Sequence, residues 1–452
     1  MLLRFKCKNF RSIKDEQTFS MVAAATRSDE RNHTLLDTPH KDIKALRCAA
    51  FYGANASGKS NFLKAITQFS SIIAFSHRTW NPTGGIPAWD PFRLDDYSRD
   101  EEASFEADFV IDDFSYNYGF RFDKSSFIEE WLIDNSGRAK TLFRRSTEGG
   151  ETQVKLPGRN LVFGSNDLDI LKAASAQTRD NSLFLSSAAQ SNHVLLSKIF
   201  KFLTPRFEAH SGNTSETYSD KEEKRKIVDL LVAADAGIMN YEVSKKEVPE
   251  DIKEFINAMH SAAKAAAADS KSVYIPQVAE QTEITMFHRG AQDKPFPLEF
   301  SNESTGTQQY FNLVKLVLKV INSGNILILD ELGSSLHPLL ARQIIRIFND
   351  PELNPKGTQL ILTTHNSDFL DSDLLRRDQL WFTEKSSQGA TSLVSLADFK
   401  PRKGQNLESA YLGGRFGAIP FIDEELFLRA INANAKENID SCLEETEVDL
   451  ND

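Results

Sequence analysis

The hydrophobic pattern of the first part of the chain indicates strands around one early helix. The first ten residues and the run from Ala45 to Tyr52 have strand-like periodicity, and a helix-like stretch follows from Lys59 to Phe69. Between Ser104 and Arg145, short aromatic-rich runs alternate with Asp, Ser and Lys, which is typical of an antiparallel meander. We therefore predict a strand, a loop and a helix beside a β-rich layer.

The hydrophobic periodicity changes twice in the rest of the chain. From Asp167 to about Ser272 the apolar positions recur at helical spacing, which predicts a helical insertion. After residue 300, helix-like runs alternate with the apolar runs NILILD, TQLILTT and QLWFTE. Strands that are apolar along almost their whole length belong to a parallel sheet covered on both faces. The predicted fold class is therefore α/β, with a mixed sheet, an antiparallel β layer and a helical insertion.

The composition is that of a globular protein without a membrane segment. The 452 residues are 40% hydrophobic and 26% charged, and this length suffices for about three domain-sized units. No stretch reaches the roughly 18 to 20 uncharged apolar residues of a membrane span, and charges interrupt the apolar N-terminus, unlike in a signal peptide. We therefore expect a cytoplasmic protein with no membrane partner.

Charge and cysteine usage exclude further classes. The chain has 53 Lys and Arg against 64 Asp and Glu, and its net charge of -11 disfavours a protein that coats DNA non-specifically. Acidic residues dominate the end of the chain, since seven of them and no basic residue lie between Glu437 and Asp452. The wide spacing of Cys7, Cys48 and Cys442 fits neither a disulfide framework nor a CxxC site.

A phosphate-binding loop is the strongest motif in the sequence. It follows an apolar strand, opens a helix and fits G-x-x-x-x-G-K-[ST] with Gly53, Ala54, Asn55, Ala56, Ser57, Gly58, Lys59 and Ser60. The glycines let backbone N–H groups face phosphate oxygens, Lys59 reaches the β- and γ-phosphates, and Ser60 can ligate Mg²⁺. We include the next residue, Asn61, in the predicted ATP site.

Two carboxylates follow the buried strand NILIL. In a phosphate-loop fold the end of this strand faces the nucleotide, so Asp330 is expected to hold Mg²⁺. Glu331 would orient the water that attacks the γ-phosphate, or accept its proton. Acids at the end of a strand are common, so this assignment depends on the presence of the phosphate loop.

Two further motifs have both a functional and a structural explanation. Ser304 opens the sequence STGTQ before a helix-like run, where its hydroxyl can cap the helix and direct the N-terminus at an anion. An ordinary helix cap explains the same pattern. His365 follows the strand TQLILTT, where its imidazole can hydrogen-bond the γ-phosphate or the attacking water, although a lone histidine is more often structural.

In this order, the phosphate loop, S-x-G-x-Q, the Asp-Glu strand and Thr-His resemble the ATP-binding-cassette ATPases of the SMC and RecF branch. The resemblance implies a head-to-tail dimer in which the phosphate loop of one head faces Ser304 and Gly306 of the other. It also implies that Ser335, in the sequence GSSLH, lies in the loop that crosses the dimer interface, and that His365 is the switch histidine. One element departs from the family pattern, because no glutamine lies between Arg78 and Thr152 to serve as the Gln-loop ligand.

The match narrows to a group of bacterial defence proteins. The segments KNFRSI, DELGSSLHP, ILTTHNSDFLD, LRRDQLWFTEK and YLGGRFGAIPF look like those of abortive-infection ATPases of the AbiLi or RloA type, which are related to the ATPases of the Septu and PARIS systems. The resemblance implies an Mg²⁺-dependent ATPase that acts as the sensor of an anti-phage system. It further implies a separate effector encoded nearby, frequently a nuclease, and a phage protein or nucleic acid as trigger.

Domain boundaries follow from these patterns. We predict the N-terminal part of the ATPase head at 1–165, a helical insertion at 166–272 and the C-terminal part of the head at 273–420. A C-terminal helix and the acidic tail are predicted at 421–452.

Other functions compete with this interpretation. A built-in nuclease would need a centre such as Asp371-Ser372-Asp373, but these acids fall in a predicted helix, where capping explains them better. An SMC- or RecF-like ATPase that holds DNA is the main alternative, with basic candidates at Arg4, Lys6, Lys8, Arg11, Lys14, Lys221 to Lys226, Lys400, Arg402 and Lys403. Because most of these residues are mixed with acids, a solvated face explains them about as well. A nucleotide-binding subunit of a transporter is the least expected function, because such subunits do not carry inserts of this size.

Overall fold

A computed structural model describes residues 1–24, 35–149, 151–157, 165–204, 207–209, 221–234, 237–247, 258, 280–402 and 404–431. Strands β1 to β10 are Leu2–Lys8, Gln17–Ser20, Leu36–Asp37, Lys44–Ala45, Cys48–Gly53, Ala103–Ile111, Phe114–Phe122, Phe127–Asp134, Lys140–Glu148 and Glu151–Lys155. Strands β11 to β18 are Phe207–Ala209, Ile238–Glu247, Glu280–Arg289, Pro295–Glu299, Ile326–Leu329, Gln359–Thr363, Leu380–Lys385 and Thr391–Ser395.

The helices lie between and after these strands. Helices α1 to α8 are Lys59–Phe75, Ser165–Gln177, Phe184–Gln190, Val194–Leu203, Lys221–Ala233, Thr305–Ser323, Pro338–Asn349 and Leu407–Leu412. A further helix, α9, spans 424–431. Across the described ranges, no helix combines the length and the apolar character that crossing a membrane requires.

The apolar strands form the predicted parallel sheet. Its order is β11-β15-β16-β5-β17-β18, and all neighbouring pairs except β17 and β18 are parallel. Successive side chains of β5 point to opposite faces. Ala49 and Phe51 therefore join the hydrophobic core on one side of the sheet, and Cys48, Ala50 and Tyr52 join the core on the other. A strand buried on both faces must be apolar throughout, which is the pattern that its sequence shows.

A second, antiparallel sheet covers helix α1. It has seven strands in the order β10-β9-β8-β7-β6-β1-β2. The inward face of α1 carries Phe62, Ile66 and Phe69, which pack with Phe5 and Phe105 of this sheet in one core. Helix α1 thus lies between the two sheets, and helices α6 and α7 cover the opposite face of the parallel sheet. This arrangement confirms the predicted α/β class with its mixed sheet and antiparallel layer.

The segment predicted as a helical insertion contains strands as well as helices. Helices α2, α3 and α4 bury Leu171, Leu185 and Leu196 in the core that surrounds α1. Strand β11 joins the edge of the parallel sheet, and β12 pairs with β13 in a separate three-stranded sheet. Helical periodicity did not predict these two strands. The domain boundaries themselves stay predictions.

Some sequence predictions concern residues outside the described ranges. These residues are the acidic tail from Glu437, Cys442, Lys403 and parts of the helical insertion predicted at 166–272. The other two cysteines, Cys7 and Cys48, are buried and unpaired, and burial raises the pKa of both thiols. They are therefore poor nucleophiles.

One buried ion pair joins the antiparallel sheet to the helices beside it. Glu130 on β8 and Arg145 on β9 are register partners, both side chains are fully buried, and Nη1 lies 3.8 Å from Oε2. The carboxylate also accepts hydrogen bonds from the N–H groups of Phe184 and Leu185 at 2.6 and 2.9 Å. Arg145 donates to the carbonyl of Ser182 at 2.9 Å. Burial raises the pKa of Glu130, while Arg145 and the two N–H groups act to lower it.

We expect Arg145→Ala to destabilise the fold strongly. The variant leaves Glu130 buried without a cation, and removal of one partner of a buried pair costs about 3–5 kcal/mol. The neighbouring pair of Arg144 and Glu129 supplies the control. The Arg144 side chain is 60% exposed and Glu129 keeps a second partner in Arg121, so Arg144→Ala should cost less than about 1 kcal/mol. Urea unfolding followed by circular dichroism measures both losses. Equal losses in the two variants would contradict this account of the buried pair.

Candidate active site

The loop after β5 can fold only with glycine at its two ends. A Cβ atom on Gly53 would lie 2.2 Å from Oγ1 of Thr383, and one on Gly58 would lie 2.1 Å from Oγ1 of Thr391. Gly58 also has a φ of +108°, which is strained for any residue with a side chain. The loop is therefore pressed against β17 and β18, and α1 begins directly after it at Lys59.

Lys59 lies within this loop. Its side chain is buried, and its ammonium donates hydrogen bonds to the carbonyls of Gly53 at 2.8 Å and Ala54 at 3.1 Å. Burial lowers the pKa of Lys59, while the nearby carboxylates of Glu331 and Asp330 act in the opposite direction. The ammonium is thus held at the concave side of the loop, where phosphate oxygens can replace the two carbonyls.

Ser60 and Asp330 meet at the same edge of the sheet. The hydroxyl of Ser60 donates to Oδ1 of Asp330 at 3.0 Å, and the hydroxyl of Thr363 donates to the same oxygen at 2.6 Å. The contact follows from the parallel pairing of β15 with β16 and of β16 with β5. A hydroxyl and a carboxylate at this distance fit Mg²⁺, which prefers oxygen ligands and usually completes its coordination with phosphates and water.

Glu331 and His365 complete this group. The N–H of Glu331 donates to Oγ1 of Thr363 at 2.7 Å, the backbone turns at this residue with a φ of +58°, and the side chain is exposed. His365 is exposed, but its neighbours desolvate the ring in part, which lowers its pKa; Lys59 acts in the same direction, and Glu331 and Asp330 oppose it. Because its pKa is lowered, the imidazole is uncharged at neutral pH and can accept a hydrogen bond.

The predicted signature residues form a second group. Ser304 caps α6 by accepting a hydrogen bond from the N–H of Thr307 at 3.1 Å. A Cβ atom on Gly306 would lie 2.9 Å from the carbonyl oxygen of Ser335, so the signature and the loop at Ser335 are adjacent within one chain. Ser304 and Ser335 are both exposed. Among the described residues, no hydrogen bond joins Ser304 or Gly306 to the phosphate loop.

Three further residues of the predicted ATP site stay predictions. Asn61, in the first turn of α1, donates to Oγ of Ser12 at 2.8 Å. Asn55 and Ala56 are exposed at the tip of the loop. Asp371, considered as part of a nuclease centre, lies outside any helix and pairs with Arg342 at 2.6 Å.

Sequence reasoning missed a cavity beside the phosphate loop. This cavity of about 310 Å³ is lined by Arg11, Ser12, Asn61, Asp90, Pro91, Phe92, Arg93, Leu94, Lys385 and Gly389. Thr391, which packs against Gly58, also donates to Oγ of Ser12 at 2.9 Å, so the cavity and the loop share a wall. The available signal was Arg11-Ser12 within KNFRSI, but Asp90 and Lys385 come from distant segments.

Comparison with known proteins now places the chain in a family. Residues 48–372 match the family described as "AAA domain, putative AbiEii toxin, Type IV TA system". The chain belongs to this family. The matched range holds the phosphate loop, Ser304, Asp330, Glu331 and His365, and the AAA-family chain is accordingly an ATPase. The narrower assignment to the AbiLi or RloA type stays a prediction.

Solved structures with a similar course of the chain are heads of Smc proteins. One is an Smc head bound to the C-winged helix domain of ScpA, at 12% identity and a TM-score of 0.36, covering 88% of this chain and 99% of that one. Another is an Smc head with an extended coiled coil bound to the C-terminal domain of ScpA from Pyrococcus furiosus, at 12% identity and a TM-score of 0.38, covering 88% and 97%. No curated protein matches the AAA-family chain significantly.

We expect Lys59→Ala to abolish detectable binding of Mg²⁺-ATP by this AAA-family chain. The substitution removes the ammonium that the loop holds next to its carbonyls. Lys64→Ala is the matched control, because Lys64 lies on the same helix with its side chain exposed. Isothermal titration calorimetry compares the two variants with the wild type. Wild-type affinity in Lys59→Ala would show that nucleotide binds elsewhere.

Proposed function

We propose that this chain is an Mg²⁺-dependent ATPase that acts as the sensor and regulatory subunit of a bacterial anti-phage system, where it controls a separate effector nuclease. One observation carries the ATPase part of this proposal. Lys59, Ser60, Asp330 and Glu331 meet at a single sheet edge, with the hydroxyl of Ser60 3.0 Å from the carboxylate of Asp330. This set of groups is the one that phosphoryl transfer to water requires.

Each residue has a distinct chemical role in this proposal. Lys59 and the N–H groups of the loop bind the phosphates of ATP, and Ser60 and Asp330 would hold Mg²⁺, which neutralises phosphate charge when bound. The carboxylate of Glu331 orients the attacking water and accepts its proton. The neutral imidazole of His365 lies in the same electrostatic environment, where it can hydrogen-bond the attacking water or the γ-phosphate.

A second copy of the chain is proposed to complete the site. Ser304 is exposed and caps α6, and no hydrogen bond among the described residues joins it to the phosphate loop of its own chain. An exposed helix N-terminus favours contact with an anion. In a head-to-tail dimer, Ser304 and Gly306 of one copy would face the ATP bound by the other, with Ser335 beside them. ATP then binds the closed dimer more tightly than the open monomers, which is what a switch requires.

The defence role is supported by the family. Its description names a toxin of a toxin–antitoxin system, and the sequence resembles abortive-infection ATPases. A regulatory ATPase of this kind would hold or release a separate effector according to its nucleotide state. We expect the effector to be encoded beside this gene, and the trigger to be a phage protein or nucleic acid.

The alternative function, holding DNA, has less support from the charged surface. Five basic residues of the N-terminal region could form a track for phosphates, but each is paired with an acid. The pairs are Arg4 with Asp108, Lys6 with Glu106, Lys8 with Glu101, Arg11 with Asp90 and Lys14 with Asp95, at 2.8 to 3.9 Å. A DNA-holding ATPase should lose affinity steeply between low and physiological salt, so a steep salt dependence of DNA binding would favour the alternative.

We expect Glu331→Gln to bind ATP but to reduce its hydrolysis by at least about 100-fold. The amide keeps the shape of the side chain and removes the proton acceptor. Glu352→Gln is the control, since Glu352 is an exposed acid outside the site. Phosphate release under single-turnover conditions measures the effect. Hydrolysis at the wild-type rate in Glu331→Gln would refute the role assigned to this carboxylate.

We also expect two inactive variants to rescue each other. Lys59→Ala damages the phosphate loop and Ser304→Arg damages the signature, so a mixed dimer has one site with both lesions and one intact site. Random mixing should restore roughly a quarter of the wild-type ATPase activity, because half of the dimers are mixed. Mixing Lys59→Ala with a second phosphate-loop variant, Gly58→Ala, is the control that should restore nothing. Absence of rescue in the first mixture, with a wild type that turns over as a monomer, would exclude the shared site.

A further inference from the structure

The last described part of the chain exposes an unusual amount of apolar surface. Within the C-terminal segment, defined here as residues 421–431, six large apolar side chains are between 55% and 94% exposed: Phe421, Ile422, Leu426, Phe427, Leu428 and Ile431. Isolated apolar side chains on a surface are normal, but a contiguous exposed set marks an interaction site.

This segment has local order of its own. The side chain of Asp423 accepts a hydrogen bond from the N–H of Leu426 at 2.9 Å, and its carbonyl accepts one from Phe427 at 3.0 Å, which starts helix α9. Arg429 pairs with Glu425 one turn earlier in the same helix. A helix formed before binding loses less conformational entropy when a partner covers it.

The segment is anchored to the body of the protein next to the parallel sheet. The N–H of Ala418 donates to the carboxylate of Glu384 at 3.0 Å, directly after the part of β17 that packs against the phosphate loop. The hydroxyl of Tyr411 donates to the carbonyl of Ala418 at 3.3 Å. The segment therefore leaves the protein from a fixed point near the candidate active site.

The same anchor contacts the residues that follow His365. The hydroxyl of Ser367 donates to Glu408 on α8 at 2.7 Å. Tyr52 donates to the carbonyl of Asn366 at 3.0 Å, and its ring lies 5.6 Å from that of Tyr411. A movement of the His365 loop on ATP binding would thus act directly on α8 and on the anchor of the C-terminal segment.

Charge decides what kind of molecule can cover the segment. Residues 421–452 contain ten acidic and two basic residues, so this part of the chain carries most of the net charge of -11. A second copy of the same acidic segment, a nucleic acid or an anionic membrane would each be repelled from it. A basic protein with an apolar groove has the complementary charge and shape. Proteins that act on nucleic acids are typically basic.

We propose that residues 421–431 dock in an apolar groove of a basic partner protein, and that contacts of α8 with the His365 loop couple this docking to the nucleotide state. The inference rests on the proposed function and names the binding site for its effector. The apolar helix supplies the contact area, and the acidic residues around it direct a basic effector to it.

The test uses the purified product of the reading frame adjacent to this gene as the probe, titrated into the full chain. Leu426→Asp combined with Phe427→Asp should weaken binding by more than about tenfold, because two apolar side chains are lost from the contact. Leu353→Asp is the matched control, since Leu353 is 55% exposed at a distant turn. ATP hydrolysis should be unchanged in both variants, and binding should weaken with salt.

Each outcome separates this inference from the proposed function. If the probe binds wild type and the double variant equally, the C-terminal segment is not the site, while effector control stands. If the probe binds neither the wild type nor any variant, both this inference and the proposed control of an effector are wrong. If sedimentation velocity shows that the double variant loses self-association instead, or if vesicles of phosphatidylcholine and phosphatidylglycerol bind the wild type in its place, the occupant is a second copy or a membrane, and the inference is wrong.

The coupling between the nucleotide state and docking of the C-terminal segment is tested with Glu408→Gln in the Glu331→Gln background. ATP should change the affinity for the probe at least about threefold in Glu331→Gln, which retains bound nucleotide. Glu408→Gln weakens the contact with Ser367, so it should reduce this ATP effect while leaving the nucleotide-free affinity unchanged. An ATP effect of the same size in both chains would show that α8 does not transmit the signal.

Discussion

The parallel pairing of β15, β16 and β5 is the constraint on which the site depends. Because the three strands run in the same direction, their carboxyl ends reach one edge of the sheet. Asp330 and the phosphate loop follow two of these ends and Thr363 is the last residue of β16, so the Ser60–Asp330 contact is a consequence of that alignment. A parallel strand needs helices on both faces, so the layers around α1 and beside α6 and α7 are part of what holds the site in place.

Polar contacts at the edge of the sheet hold the chemical groups in fixed positions. Thr363 accepts from the N–H of Glu331 and donates to Asp330, so one hydroxyl orients both acids. The glycines of the loop are needed because Thr383 and Thr391 leave no room for a side chain. The signature at Ser304 is positioned by a different element, the N-terminus of α6. Among the described residues no hydrogen bond joins it to the phosphate loop, and we therefore expect a second copy to complete the site.

The sequence predicted well those features that depend on neighbouring residues or on strand ends. The phosphate loop is contiguous, and buried parallel strands have an almost entirely apolar sequence, so Lys59, Asp330 and His365 could be placed before the structure was known. Contacts between residues that are far apart in the sequence leave no such pattern in it. The cavity brings Arg11, Asp90 and Lys385 together from distant segments, and the pair of Glu130 and Arg145 joins strands whose register the sequence does not show. Strand β12 was missed because its partner β13 lies more than thirty residues further along the chain.

In the proposed mechanism, ATP binds between two copies of this chain. Sedimentation velocity of the Glu331→Gln protein, with and without Mg²⁺-ATP, tests it most directly, because this variant retains the nucleotide without consuming it. We expect a monomer without nucleotide and a dimer with one ATP for each chain, and Ser304→Arg in the same background should prevent the dimer. A protein that binds ATP tightly and stays a monomer at every concentration would contradict the shared site.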